Sequence, residues 1–252
     1  MNYVLEACVD SVESAILAAD AGADRLELCS NLVIGGTTPT PALFNKVRKL
    51  CDIKINVLVR PRFGDFYYTE YEFSVIRDEI KQFKDLGTDG IVIGILQKDG
   101  NLDVNKMEVL IKEADGIPIT LHRAFDVCKD PYQCLEQACD LGIHTILTSG
   151  QKNSCLEGKE CIKNLVEKSA GRIEIMAGSG VNARVINELL PYSKAPAYHL
   201  SGKTIIDSGM EYRKEGVSMG LKDISEFQIW RTEPEKIKEA KEVLKKYEGW
   251  TA

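Results

Sequence analysis

Eight short apolar runs rich in β-branched residues punctuate the sequence: Tyr3–Cys8, Arg25–Cys29, Lys54–Arg60, Gly90–Leu96, Pro118–His122, Thr145–Thr148, Ile173–Met176 and Ala197–Leu200. Between them lie longer stretches with helical spacing, among them Ser11–Ala21, Glu70–Leu86, Val104–Ala114, Asp130–Leu141, Gly158–Ser169 and Asn182–Leu190. Parallel strands need a crossover of a dozen or more residues, usually a helix, so this alternation predicts a parallel sheet clad in helices. Eight such units in 252 residues predict an α/β fold, a single (β/α)8 TIM-type barrel. A doubly wound open sheet is the alternative.

A faint repeat supports the barrel. AGADRLEL, LGTDGIVI and LGIHTILT each carry a glycine (Gly22, Gly87, Gly142) between a helix and a strand. That is the position where a helix end needs positive φ. The barrel proper is assigned to residues 1–210 of one domain, 1–252. After it, Ile205–Ser218 reads as polar and irregular, and Glu233–Tyr247 as a charged helix with an apolar stripe at Ile237, Ala240, Val243 and Leu244. That stripe is expected to pack on the barrel exterior or on a partner subunit.

Composition excludes some partners. With 32 Lys+Arg against 38 Asp+Glu the net charge is -6, so no broad attraction to nucleic acid or anionic lipid is expected. No apolar run approaches the ~20 residues of a membrane span, and MNYVLEACVD lacks the form of a signal peptide. The eight cysteines, with no CxxC pair, are then expected to be reduced thiols in the cytoplasm.

In barrels of this kind the C-terminal strand ends carry function. Period-two alternation puts Glu6 and Cys8 on one face of the first strand, and Glu27 and Cys29 on one face of the second. If the two Glu-x-Cys patterns align, carboxylates sit side by side and so do thiols. A carboxylate in an apolar strand is costly unless paired, and Arg60 at the end of the third strand is the expected clamp for Glu6, Glu27 or an anionic ligand. RPRFGDFYY after it reads as a loop folded over the barrel mouth. His122, sharing a face with Thr120 and followed by Asp126, is a candidate general base or metal ligand. Gly178, Ser179 and Gly180 after the seventh strand, with Ser201 and Gly202 after the eighth (His199 and Ser201 sharing a face), suit the anion-binding corner of such barrels.

The stretches EACVDSVESA, GADRLELCSNL, GGTTPT, RPRFGDFYY, GIVIGIL, HRAFD, LGIHTILTSG, IMAGSGV and HLSGK follow one another from Glu6 onward, with DSGM ending at Met210. Jointly they resemble the CutC family. The resemblance implies a cytosolic barrel, dimeric or higher, linked to intracellular copper handling, in which Cys8 and Cys29 take the positions suggested for Cu(I) thiolates. Two readings stand side by side. One is Cu(I) held by Cys8 and Cys29, with Cys128 a more distant extra ligand, since soft thiolates suit that ion. The other is an enzyme working by acid/base chemistry on a small anionic, phosphorylated substrate, with Glu27, Arg60 and His122 at the reacting centre. A non-catalytic interaction role for the C-terminal helix is a third.

Overall fold

The computed structural model describes residues 2–217, 219 and 224–248. Eight parallel strands close into a barrel: β1 (Val4–Val9), β2 (Arg25–Leu28), β3 (Lys54–Leu58), β4 (Gly90–Ile93), β5 (Ile119–Leu121), β6 (Thr145–Thr148), β7 (Glu174–Ala177) and β8 (Ala197–Leu200). The ring closes where β8 pairs with β1, Glu6 lying opposite His199. That closure removes the doubly wound alternative. The crossovers are α1 (Val12–Asp20), α2 (Pro41–Leu50), α3 (Glu70–Asp85), α4 (Val104–Ala114), α5 (Pro131–Asp140), α6 (Lys159–Ser169) and α7 (Ala183–Ser193).

Local chemistry starts these helices where the strands end. Ser11, Thr40, Thr69, Asp103, Asp130 and Asn182 each cap a helix with a side-chain oxygen that accepts from an N–H of the first turn. At α3 the cap is reciprocal, because the Glu72 carboxylate accepts the Thr69 N–H at 2.8 Å. Gly22, Gly87 and Gly142 have φ of +97°, +79° and +70°, which a side chain would strain.

Alternation divides each strand into an outward side and an inward side. Leu5, Ala7, Val9, Leu26 and Leu28 face the helices and join the large outer core. The barrel interior holds two small apolar clusters instead, Cys8–Cys29–Leu58–Val92 and Leu147–Met176–Ala197. It also holds a polar network. Arg25 donates to Glu6 at 2.6 Å and to Glu174 at 2.8 Å, Asn56 donates to Glu6 at 3.2 Å, and Thr145 donates to Glu174 at 3.1 Å.

The segment after the barrel differs from its sequence reading. Lys203–Asp207 is a strand, β9, paired antiparallel with β10 (Gln228–Thr232). Its side chains are largely exposed, so no clean alternation advertised it; Ser218 lies outside the described residues. Helix α8 (Pro234–Tyr247) then lies on the barrel exterior against α7 and α1, burying Ile237, Ala240 and Leu244. No described helix is long and apolar enough to cross a membrane.

Candidate functional site

The strand ends open into a cavity of about 640 Å³. At its floor stand three side chains from three adjacent strands: Cys8 of β1, Glu27 of β2 and His199 of β8. Their ligand atoms all lie within 4.8 Å of one another. The Cys8 thiol donates to Glu27 Oε1 at 3.3 Å, and its sulfur is 3.8 Å from that of Cys29.

The register explains this grouping and corrects one expectation. The two Glu-x-Cys patterns do not align. Cys8 lies opposite Glu27, and Glu6 lies opposite Arg25. Neighbouring strands in a closed barrel are staggered, so equal motifs fall at unequal heights. Glu6 and Glu27 are therefore on different levels, while the thiols still meet because Cys29 sits just beyond the end of β2 and packs back on Cys8.

Arg25, rather than Arg60, neutralises Glu6. Arg60 braces loops: its guanidinium donates to the carbonyls of Gly35 at 3.3 Å, Gly36 at 3.1 Å and Gly64 at 2.8 Å, and stacks 5.0 Å over Phe66. Phe66 in turn packs 4.8 Å from the His122 ring, so the loop after β3 does fold over the mouth.

Burial and neighbours set the protonation of these groups. Arg25 and His199 hold the Glu6 carboxyl down at about 2, against the pull of burial. The contact with Cys29, with burial and the nearby Glu27 carboxylate, raises the Cys8 thiol well above its ordinary range. For Cys29 the bond from Cys8 lowers it, and burial beside Glu27 and Asp10 more than reverses that. Burial raises Glu27. His199 is opposed by burial yet raised by Glu27, Cys8 and Glu6. Its Nδ1 is 2.8 Å from Glu6 Oε1, which leaves Nε2 for the thiol side.

His122 stands on another wall of the cavity. Its Nδ1 accepts the Ala124 N–H at 3.1 Å, so the proton sits on Nε2, which is buried without a partner among the described residues. Burial, then Arg60, pushes it down to about 3, so the ring is neutral. Asp126 is committed to structure: it accepts from Thr148 Oγ1 at 2.6 Å and from the Ser149 N–H, and pairs with Arg123 at 2.7 Å.

The glycine corner is split. The Gly178 N–H is taken by the Thr148 carbonyl at 2.9 Å, and a Cβ there would meet Leu147 at 2.5 Å. Gly202 accepts from the Glu233 N–H and so anchors α8. Ser179, Gly180 and Ser201 do line the cavity, beside Lys203. Cys128 belongs to the outer core and its sulfur accepts from Gln151 Nε2 at 3.4 Å. Sequence reasoning placed His199 on the correct face but gave it no role. The signal was there in its position on the last strand, which in a closed ring neighbours the first.

The CutC family model matches residues 3–204. A CutC family protein of Histophilus somni is 43% identical over 233 residues, covering 92% of this chain and 96% of that one. The human copper homeostasis protein cutC homolog is 40% identical over 245 residues, covering 97% of this chain and 90% of its own. The crystal structure of a CutC protein from Streptococcus agalactiae superposes with a TM-score of 0.76 at 31% identity, over 79% of this chain and 98% of that one. Phosphoribosylanthranilate isomerase from Pyrococcus furiosus, 14% identical with a TM-score of 0.55 over 97% of this chain and 100% of its own, is a likeness of fold alone. A family match over nearly the whole barrel, carried by relatives of matching length, makes this chain a member of the CutC family.

Proposed function

We propose that this chain serves copper homeostasis by holding Cu(I) on the thiolates of Cys8 and Cys29, as a cytoplasmic homo-oligomer. The observation that carries the reading is the sulfur pair 3.8 Å apart at the cavity floor. A disulfide would need about 2.05 Å. Two thiolate–metal bonds of about 2.3 Å reach up to about 4.6 Å end to end, so both sulfurs can reach one ion. Cu(I) is soft and selects thiolate over the oxygen ligands around it. The copper-homeostasis name of the human relative supports the same role. Anaerobic Cu(I) titration against a competing chelator tests it. Cys8→Ser/Cys29→Ser is expected to lose the tight equivalent; unchanged stoichiometry and affinity in that variant would remove the reading.

A second reading is favoured by the cavity, whose 640 Å³ far exceeds the needs of an ion. It makes the protein an enzyme on a small anionic substrate, seated by Ser179, Gly180, Ser201 and Lys203. His122 offers its free Nε2–H, Arg60 shapes the wall, and Glu27 moves protons. A small anionic molecule released on denaturing the purified protein supports it; a cavity that binds none of a phosphorylated-metabolite library by calorimetry removes it.

A further inference from the structure

We infer that Cys8, Glu27 and His199 form a second coordination mode on the same floor: a three-ligand site for a divalent borderline cation such as Zn²⁺, with its fourth position open to the cavity. It shares Cys8 with the proposed Cu(I) site but dispenses with Cys29.

The donor set is the first argument. A tetrahedral ion with bonds of about 2.0–2.3 Å to nitrogen, oxygen and sulfur sets its ligand atoms about 3.5 Å apart. Cys8 Sγ and Glu27 Oε1 are 3.3 Å apart, and one ligand atom of each of the three residues lies within 4.8 Å of the others. Mixed imidazole, carboxylate and thiolate suit Zn²⁺, whereas Cu(I) has no use for the carboxylate. Charge agrees as well. One thiolate and one carboxylate balance a divalent ion, leaving no uncompensated charge at a floor where Cys8 and Glu27 are each 5% exposed.

Two independent observations point to a ligand there. Glu27 Oε2 is buried and has no hydrogen-bond partner among the described residues. Buried carboxylate oxygens are rarely left so, and a metal or its bound water would satisfy it. The second is the Glu6–His199 bond at 2.8 Å. Metal-bound imidazoles characteristically donate their other N–H to a carboxylate, which fixes the ring and raises its basicity. Glu6 is itself held by Arg25 and Asn56, so it is a rigid positioning residue that never touches the ion. All three ligands also line the cavity, so the remaining coordination direction faces a space large enough for water or a small oxyanion. Three protein ligands with an open position is the pattern of reactive zinc sites.

Co²⁺ added to the reduced, metal-free full chain under argon is the probe. One equivalent should bind with a thiolate-to-cobalt charge-transfer band in the near ultraviolet. Glu27→Gln and His199→Gln should each weaken binding by at least about tenfold, and Glu6→Gln by about 10–100-fold with the band retained. Cys29→Ser should keep the cobalt site while losing Cu(I), and His199→Gln the reverse; a Cu(I) equivalent retained by His199→Gln also shows that the variant folds. The two metal readings therefore fail separately. X-ray absorption at the cobalt edge of the wild-type protein, which needs no variant, should show one sulfur and a shell of nitrogen and oxygen. Two sulfurs in that shell, no cobalt binding, or a band lost with Cys29→Ser and kept with His199→Gln would each overturn the inference.

Discussion

Replacing Glu6 by Gln tests whether the polar layer inside the barrel holds the site in place. The Glu6 side chain is fully buried and makes three bonds: Arg25 Nε at 2.6 Å, His199 Nδ1 at 2.8 Å and Asn56 Nδ2 at 3.2 Å. Glutamine keeps the shape but offers one acceptor and turns an NH₂ group toward donors. Breaking a buried ion pair from one side costs about 3–5 kcal/mol. Arg25 keeps Glu174 at 2.8 Å, so its charge is not orphaned and the lower end, about 3 kcal/mol, is expected. At about 2–4 °C per kcal/mol for a chain of this size, the melting midpoint should fall by about 6–12 °C. Because the pair is out of solvent, the loss should persist in 1 M salt. An internal control is the exposed Arg172–Glu136 pair, bonded at 2.7 and 2.8 Å, where Glu136→Gln should cost far less than Glu6→Gln and lose its effect in high salt. Denaturant unfolding of both variants at two salt concentrations decides the matter. A loss for Glu6→Gln below about 1 kcal/mol, or one abolished by salt, would refute the claim that this network is a rigid support.

Three further outcomes follow from single contacts. Gly36 has φ +85°, and a Cβ there would sit 2.7 Å from Leu58 and 3.5 Å from Cys29 Sγ, so Gly36→Ala should cost about 2–5 kcal/mol in denaturant unfolding and weaken Cu(I) binding. Thr69→Ala removes the cap of α3 and should cost about 1 kcal/mol by the same assay, with the metal site untouched. Burial raises the half-buried Glu79 carboxyl, opposed by the bond from Thr38. Above its folded value it must ionise in a poorly hydrated place, which costs stability, while below the value of the unfolded chain it is protonated in both states and costs nothing. Glu79→Gln should therefore raise the melting midpoint at pH 8, with the gain vanishing near pH 4.

What could be read from the sequence follows the range of each interaction. The eight strands and the helices between them were legible because apolar runs and helical spacing are local, and the caps that fix the helix starts, such as Thr69 and Asp130, are seen in the structure. The pairing of Glu-x-Cys with Glu-x-Cys was not legible, since barrel stagger sets register and leaves no local trace. Arg25 opens β2 whereas Arg60 follows the end of β3, and that difference in height decides which arginine meets Glu6. The β9–β10 pairing left little local trace because β9 is largely exposed and β10 goes from exposed to buried along its length without alternating.

Closure of the ring is what creates the site. Glu6 and His199 are 193 residues apart, yet stand directly opposite in the last seam of the barrel. In an open doubly wound sheet, the first and last strands need not be neighbours, and neither the Glu6–His199 bond nor the Cys8–Glu27–His199 triangle would have reason to form. The stagger then assigns the levels: Glu6, Arg25 and His199 occupy one, and Cys8 faces Glu27 on the next toward the mouth. The charged level fixes the imidazole from below, and the level above presents its Nε2 with a thiol and a carboxylate to the cavity. Cys29, one step beyond the end of β2, offers the thiol an alternative partner. Cys8 is thus the hinge between a soft two-sulfur site and a mixed three-donor site, and which one forms is decided by whether the incoming ion gains more from a second sulfur or from nitrogen and oxygen.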